Sequence, residues 1–418
     1  MSSVSELLRF GQLMQCSGDV DKAAVVFSKI VDKHPEDFRA YYNRATCLLQ
    51  LQRPQDALVS LEGAEGLKGC NVYVYGALSK VLISLKRPED AVRRCRQGLA
   101  LDATDAVCLA NVNVALRMLD RMDEAILLSW EAMGLPPFNP TTDIPSPSSS
   151  SSSCSESATV TVVVVKWGTK YGPEYVNRLQ GMVAEHGFPS RPFRLVCFTE
   201  DSSGLDAAVH VLPLPTGGQT GGEWKGWWNK AHLFSAAAAE AAAGHDDHIL
   251  YLDLDTVVCG PLDFLLEPPP LSSSSSSSLC PRARALFSTL GAAAFPTEGR
   301  SCGVNSSVMY WRNGTLTALH TFLETHYAAV TKVLFKFDHW LEMMLGPVTH
   351  CIEQEQAHAR KIVDYGAYAQ HESAGAEAWL CGVSVVCFPL RPKPHELAGD
   401  SPMYVRWVGA PTHQEEVD

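Results

Sequence analysis

The sequence has 418 residues, of which 46% are hydrophobic and 19% charged, and its formal net charge is -12. This length and composition are typical of a folded protein with two ordinary domains and exclude a largely disordered chain. The negative charge disfavours a nucleic-acid backbone as the main partner, because phosphates attract the opposite sign.

The sequence predicts neither a secretory signal nor a membrane span. The first thirty residues lack a basic start followed by an apolar run. No window approaches twenty uninterrupted apolar residues. The 13 cysteines are scattered and odd in number, which is typical of a reducing compartment. We therefore expect a cytoplasmic protein.

Residues 1–135 repeat with a 34-residue period. Small residues and larger apolar residues both recur at this step: Ala23, Ala57, Ala91 and Ala125, and Met14, Leu48, Leu82 and Leu116. The period is that of the tetratricopeptide helix pair, in which a small residue lets the second helix approach the first closely. Pro54 and Pro88 fall where a second helix would begin, since a missing N–H needs no partner there. The pattern resembles four tetratricopeptide repeats, an array that usually binds a protein or peptide partner.

Two stretches of low complexity interrupt the chain. Residues 136–158 are rich in proline, threonine and serine, and residues 268–281 contain prolines and a run of serines. Such compositions bury too little apolar surface to offset the entropy of ordering. We expect the first to be a flexible linker between domains and the second to be a disordered insertion.

The second domain, residues 159–412, alternates strand and helix patterns. Strands are predicted from Thr159 and over Phe193–Phe198 and Val209–Leu214, and helices over Tyr175–His186 and residues 235–243. This alternation predicts an α/β domain with a mostly parallel, mixed sheet. Ligands of such sheets gather beyond the carboxyl ends of the strands.

Asp253 and Asp255 follow the apolar run Ile249–Leu252 and are predicted to lie late in a strand. Residues two apart in a strand face the same side, about 6.6 Å apart, where two carboxylates repel by about 2.5 kcal/mol at an effective dielectric of ~20. Three interpretations follow. The pair holds Mg²⁺ or Mn²⁺, it is a phosphatase-like aspartyl nucleophile with its acid/base partner, or both side chains face water.

Five short segments follow one another through the second domain. They are Lys166–Tyr175, Gly226–Lys230, Leu252–Thr256, Asn305–Ser307 and Pro392–His395. In this order they resemble nucleotide-sugar glycosyltransferases of the GT-A type, distantly the glycogenin-like group and more closely a group of bacterial and algal proteins. The resemblance covers residues 159 to about 408 and implies a Rossmann-like fold.

The resemblance also implies a metal site. A nucleotide-diphosphate sugar would be held by its diphosphate on Mn²⁺ or Mg²⁺, with Asp255 as a direct ligand and Asp253 touching the metal or the ribose. The metal would neutralise charge on the leaving diphosphate. Related transferases usually place a His-Gly pair before the Pro-Lys-Pro segment, where this chain has Pro389 and Leu390. Three alternatives stay open: His395 is the third ligand, water fills the position, or the metal binds weakly.

Further residues take roles from the same resemblance. The donor would be bound by Lys166, Trp167, Tyr171, Lys230 and Lys393, the substrate by Trp228, Asn229 and Ser306, and catalysis would involve Asn305 and Asp338. Structural interpretations stay open beside these: Trp228 in the core, Asn305 in a turn and Asp338 as a helix cap.

Two rival functions remain. One is a repeat scaffold whose transferase-like domain has lost activity. The other is an aspartyl-nucleophile phosphatase, which would need the acidic pair on the first strand of its domain.

Overall fold

The structure is a computed structural model that describes residues 3–144, 159–214, 224–242, 248–266, 285–287, 305–334, 336–345, 349–351, 361–370, 376–388 and 391–409. It divides into two compact units, Met1–Pro137 with Ala329–Phe335, and Phe138–Ala328 with Lys336–Asp418. The predicted insertion, most of the predicted linker, and the pair Pro389 and Leu390 lie outside the described residues.

The first unit consists of paired helices. They are α1 (Val4–Cys16), α2 (Val20–Lys33), α3 (Phe38–Gln50), α4 (Pro54–Glu65), α5 (Val72–Ser84), α6 (Pro88–Leu101), α7 (Ala106–Met118) and α8 (Met122–Met133). Ser3 and Glu6 form a capping box at the start of α1. Proline opens α4 and α6, as the sequence predicts. The helical repeats are therefore confirmed.

The repeated small residues lie where helices approach most closely. Ala23, Ala57, Ala91 and Ala125 are all completely buried. Gly98 shows the same constraint, because a Cβ atom at this position would lie 2.6 Å from the Sγ atom of Cys108. Larger side chains at these positions would force the helices apart.

The described residues of the second unit form ten strands. They are β1 (Val160–Lys166), β2 (Phe193–Thr199), β3 (His210–Pro213), β4 (His248–Leu252), β5 (Thr256–Val258), β6 (Ala285–Phe287), β7 (Val308–Arg312), β8 (Thr349–Cys351), β9 (Ile362–Asp364) and β10 (Val385–Cys387). Seven form a sheet in the order β3-β2-β1-β4-β7-β6-β8, and the others form the sheet β5-β10-β9. Strands β3, β2, β1 and β4 are mutually parallel, whereas β7 is antiparallel to β4 and β6. The domain thus has a mixed α/β sheet.

Helices precede, connect and follow these strands. They are α9 (Pro140–Asp143), α10 (Pro173–Met182), α11 (Ala236–Ala242), α12 (Thr317–Val333), α13 (Phe337–Leu345), α14 (Tyr365–Ala369), α15 (Ala376–Trp379) and α16 (Pro402–Val408), with a 3-10 helix at Gly226–Phe234. Helix α10 is shorter than predicted, because a single π-helical turn at Val183–Gly187 follows it. Within the described ranges, no helix is long and apolar enough to cross a membrane.

The acidic pair does not lie in a strand, and this prediction is wrong. Strand β4 ends at Leu252, and the chain then turns towards β5, which pairs with β10 in the smaller sheet. The backbone N–H and side-chain hydroxyl of Thr256 both donate to the Asp253 carbonyl, at 3.1 and 2.7 Å. The Asp253 N–H donates to the carbonyl of Ser307 at 2.8 Å. These bonds stabilise a turn, although the apolar residues on both sides of it suggest one continuous strand.

We predict that Ala57→Leu destabilises the first unit by about 1–3 kcal/mol, because the added atoms overpack a closed helix contact. Val59→Leu is the matched control, since Val59 lies on the same helix and is 61% exposed. Guanidinium unfolding of the full chain, followed by circular dichroism at 222 nm, measures the change. Equal unfolding midpoints for the two variants would contradict the close contact at Ala57.

Candidate functional site

A polar cluster lies at the carboxyl end of β4, beside β1 in the parallel part of the sheet. The turn after β4 supplies Asp253 and Asp255. Tyr171 comes from the segment between β1 and α10, Lys230 from the 3-10 helix, and Lys393 from the segment before α16. Four chain segments thus meet at the edge where α/β sheets bind ligands.

Asp253 forms an ion pair with a buried lysine. The Nζ atom of Lys230 lies 2.7 Å from the Oδ1 atom of Asp253, and Lys230 is only 8% exposed. The same ammonium donates to the hydroxyl of Ser306 at 3.0 Å. The hydroxyl of Tyr251 also donates to Asp253 Oδ1. Lys230 is therefore held by a carboxylate and a hydroxyl in a largely dry environment.

Electrostatics keep this lysine charged. Burial alone would lower the pKa of Lys230, but the carboxylates of Asp253 and Asp338 more than offset burial and raise it. Asp338 lies in the first turn of α13, not at its cap, and its Oδ1 atom accepts the N–H of Ser306 at 3.2 Å. Burial raises the pKa of Asp338, although Lys230 and Ser306 oppose it.

Asp255 likewise forms an ion pair with a lysine and accepts a hydrogen bond from a tyrosine. The Nζ atom of Lys393 lies 2.7 Å from Asp255 Oδ2, and the hydroxyl of Tyr171 donates to the same oxygen at 2.6 Å. Lys393 also donates to the carbonyl of Phe388. Burial and the neighbouring Asp255 carboxylate raise the pKa of Tyr171 well above its usual range, so the phenol stays a donor.

The two ion pairs leave one oxygen of each carboxylate without a hydrogen bond from the described residues. The contacts engage Oδ1 of Asp253 and Oδ2 of Asp255. Two hard oxygen donors suit Mg²⁺, which usually keeps waters and phosphate oxygens as its remaining ligands. No group of three or more His, Cys, Asp or Glu side chains is arranged to hold a metal in the described part of the chain. Two carboxylate oxygens are thus available to a metal whose other ligands would come from water or substrate, and metal binding stays a prediction.

His395, the predicted third ligand, contacts a tyrosine. Its Nδ1 atom shares a hydrogen bond with the hydroxyl of Tyr175, and the two rings meet edge-on at 5.7 Å. Tyr175 in turn packs against Tyr171 at 4.7 Å. His395 is thus connected to Asp255 through two tyrosines, and metal ligation by His395 stays a prediction.

The other predicted binding residues have varied surroundings. Lys166 is 4% exposed and donates to the carbonyl of Asp201 at 3.4 Å, and Trp167 is half-buried after β1. Trp228 is 5% exposed, and Asn229 donates to the carbonyl of Gly226 at 3.0 Å within the 3-10 helix. Their roles in substrate binding stay predictions.

Trp228 and Asn305, predicted to bind substrate and to take part in catalysis, also have a clear structural role. The ring of Trp228 packs edge-on against Phe337 and Trp340 at 6.0 and 6.2 Å, which places it in an aromatic core. The side-chain oxygen of Asn305 accepts the N–H of Ser307 at 2.9 Å, which stabilises a turn before β7.

Two residues of the cluster were missed by sequence reasoning. Tyr251 lies two positions before Asp253, and strand periodicity was the available signal that they face the same side. Lys170 is exposed, and its Nζ atom lies 4.6 Å from the centre of the Tyr171 ring. Burial and the neighbouring Lys393 lower the pKa of Lys170, against an opposing effect of Asp255. It lies within the segment Lys166–Tyr175, where it received no role.

A pair of histidines connects the 3-10 helix to α12. The Nδ1 atom of His232 and the Nε2 atom of His320 are 3.4 Å apart, and the ring of Trp224 stacks on His232 at 4.3 Å. Burial and His320 lower the pKa of His232 to about 3, and burial also lowers the pKa of His320. Both histidines are therefore neutral in the folded protein near neutral pH.

Comparisons with known proteins found one curated relative and several solved structures that match part of the chain. No protein-family model matches the sequence. The BBSome complex member BBS4 homolog of Drosophila melanogaster is 27% identical over 121 residues, which are 29% of this chain and 25% of that protein. The chain thus spans about a quarter of that curated relative.

Solved structures with a likeness to this chain include two repeat proteins. MamA from Desulfovibrio magneticus RS-1 is 20% identical, with 32% of this chain and 75% of that one covered and a TM-score of 0.30. YrrB, described as a TPR protein with an unusual peptide-binding site, is 17% identical, with 33% and 71% covered and a TM-score of 0.29. The eight paired helices themselves define the first unit. It is an array of tetratricopeptide-like repeats.

We predict that the protein loses stability as the pH falls from about 6.5 towards 3, because the unfolded chain takes up a proton on His232 that the folded protein refuses. At pH 5, protonation of this histidine in the unfolded chain alone lowers the free energy of unfolding by about 2 kcal/mol relative to neutral pH. His232→Phe should reduce the loss of unfolding free energy between pH 7 and pH 5. His186→Phe, which lies outside the histidine pair, should leave this loss unchanged. Urea unfolding at pH 7 and pH 5, followed by tryptophan fluorescence, tests this. An equally steep loss in His232→Phe and wild type would contradict a neutral buried His232.

Proposed function

We propose that this protein is a glycosyltransferase that takes a sugar from a nucleotide-diphosphate donor, with a repeat array that binds a protein partner or acceptor. The observation that carries the proposal is the turn after β4. It presents Asp253 and Asp255, each in an ion pair with a lysine that is largely buried, Lys230 and Lys393. The cluster lies at the carboxyl end of parallel strands, where nucleotides bind in α/β sheets.

The charges of the cluster suit a diphosphate ligand. Asp253 and Asp255 balance Lys230 and Lys393, so the four groups together carry no net charge when all are ionised. Asp253 and Asp255 would hold Mg²⁺ or Mn²⁺ through their unengaged oxygens. When bound there, the cation would neutralise the negative charge that grows on the leaving diphosphate. The exposed ammonium of Lys170 adds a further positive charge beside the pair.

The chain's own side chains would orient the reactants. Tyr171 and Lys393 fix one oxygen of Asp255, so the other is held in a defined direction. Lys230 is fixed by Asp253 and Ser306 in the same manner. Such fixed donors stabilise charge without reorganising during the reaction.

Asp338 is the proposed group for proton transfer. Its pKa is raised mainly by burial, and a carboxylate with a raised pKa is a stronger base towards an acceptor hydroxyl. Ser306 fixes its orientation through the backbone hydrogen bond. Asn305 lies next to Ser306 and supports the turn that carries it. In catalysis, Asp338 would thus transfer the proton, and Asn305 would hold the turn that positions Asp338 through Ser306.

The second candidate is a repeat scaffold with an inactive transferase-like domain. It is favoured by the burial of Trp228, which leaves little of the ring to stack on a sugar. The phosphatase reading has less support, because the acidic pair follows the fourth strand of its unit instead of the first.

We predict that UDP- or GDP-sugars with Mn²⁺ stabilise the wild type against heat by about 5 °C or more at a hundredfold excess over the dissociation constant. Asp255→Asn should lose this stabilisation, because it removes a charge that holds the metal and Lys393. Asp206→Asn, an exposed aspartate outside the cluster, is the matched control.

The outcomes separate the three functions. Absence of stabilisation by every UDP- and GDP-sugar would contradict the transferase proposal. Binding without turnover would favour the scaffold. Hydrolysis of aryl phosphates that Asp253→Asn abolishes would instead identify a phosphatase.

A further inference from the structure

Lys393 holds the carboxylate that a divalent cation would bind. Its Nζ atom lies 2.7 Å from the Oδ2 atom of Asp255, and the two side chains are only 12% and 11% exposed. The same ammonium donates to the carbonyl of Phe388. A divalent cation on the other oxygen of Asp255 would lie beside this positive charge and be repelled by it. The ion pair therefore competes with metal binding.

The backbone around Lys393 is held by contacts that do not involve its ammonium. The Lys393 N–H donates to the carboxylate of Glu396 at 2.7 Å, and a further 3-10 helix, Pro394–Glu396, follows. The segment then reaches α16, whose Trp407 is buried in the core. The segment therefore keeps its place when the ammonium leaves Asp255, because only the flexible side chain has to turn towards another acceptor.

The surroundings of the two lysines of the cluster differ in charge. Burial lowers the pKa of the exposed-side neighbour Lys170, and the ammonium of Lys393 lowers this pKa further. An anion held between these two ammonium groups would relieve their repulsion. Lys230 lies instead among carboxylates, those of Asp253 and Asp338, which raise its pKa. Lys393 is therefore the lysine that an incoming anion would draw away from its carboxylate.

A diphosphate would satisfy both the displaced ammonium and a cation. Phosphate oxygens accept hydrogen bonds from a lysine ammonium, which acts as a compact point charge with three donors. Mg²⁺ is usually bound by one or two carboxylates together with substrate phosphates. The same ligand would thus take the ammonium of Lys393 away from Asp255 and supply the oxygens that the carboxylates do not.

We propose that Lys393 makes metal binding at Asp255 depend on a diphosphate. In the free protein the Lys393 ammonium keeps a cation away from Asp255, and tight binding of the cation requires a diphosphate that accepts this ammonium. Lys393 is thus a positioning residue that prevents a metal ion alone from filling the site. The inference rests on the proposed donor site and specifies how that site is assembled.

The test measures the affinity of the full chain for Mn²⁺ in the absence of nucleotide and in the presence of UDP or GDP. Free Mn²⁺ is followed by electron paramagnetic resonance. The same titration without protein corrects for the Mn²⁺ that the nucleotide binds by itself. In the wild type we expect UDP or GDP to tighten Mn²⁺ binding by about tenfold or more.

Lys393→Met should bind Mn²⁺ alone about tenfold or more tighter than the wild type does, because methionine keeps the apolar stem and removes the competing charge. UDP or GDP should then tighten Mn²⁺ binding of this variant by less than about threefold, since no ammonium is left to displace. Lys393→Gln should show the same changes and keeps the test valid if the methionine variant unfolds.

Lys170→Met is the matched control, since it removes an exposed ammonium near the same carboxylates that forms no ion pair with Asp255 among the described residues. It should tighten the binding of Mn²⁺ alone by less than about threefold. Equal gains in Lys170→Met and Lys393→Met would overturn the role of the ion pair, because the effect would then belong to the general positive charge of the site.

The remaining outcomes separate this inference from the proposed function. An unchanged affinity of Lys393→Met for Mn²⁺ alone would overturn the inference, and a gain in Mn²⁺ affinity on addition of UDP or GDP would then leave the donor site intact. Tighter Mn²⁺ binding in Lys393→Met, with no effect of either nucleotide on the wild type, would overturn the diphosphate as the displacing ligand and the donor site with it.

Discussion

Two neighbouring carboxylates in a largely buried turn must be balanced by positive charge, and the polar cluster depends on this constraint. An uncompensated buried charge costs several kcal/mol, so Asp253 and Asp255 require Lys230 and Lys393 within ion-pair distance. The 3-10 helix and the segment before α16 must therefore reach the end of β4. The remaining carboxylate oxygens are the ones that would bind a cation in the proposed function. Charge balance thus connects the local turn to the proposed chemistry.

The helical unit depends on a different constraint, the close approach of its helices. Small residues at one repeated position bring the helices together, and this regular spacing aligns the polar side chains of successive repeats. Arg9 of α1 and Asn43 of α3 line the same groove because they occupy the same place in adjacent repeats. Packing inside the array therefore determines the chemistry presented by its face. The two units thus depend on different constraints, close helix packing in the first and charge balance in the second.

Sequence patterns predicted the elements that depend on repetition and burial. The 34-residue period located the paired helices, and continuous apolar runs located β1, β2 and β4. The turn at Asp253 was missed because apolar residues continue beyond it, although they join another sheet. The ion pairs join residues far apart in the chain, so no local pattern encodes them. The aromatic core around Trp228 likewise requires α13, whose position relative to the 3-10 helix is tertiary information.

The most direct measurement is a crystal structure of the full chain with Mn²⁺ and a nucleoside diphosphate, with anomalous diffraction to locate manganese. We predict manganese bound to Asp253 or Asp255 and diphosphate oxygens within hydrogen-bond distance of Lys393 or Lys170. A nucleotide bound away from the turn after β4, or manganese at another place with both ion pairs unchanged, would contradict the assignment of this cluster as the donor site.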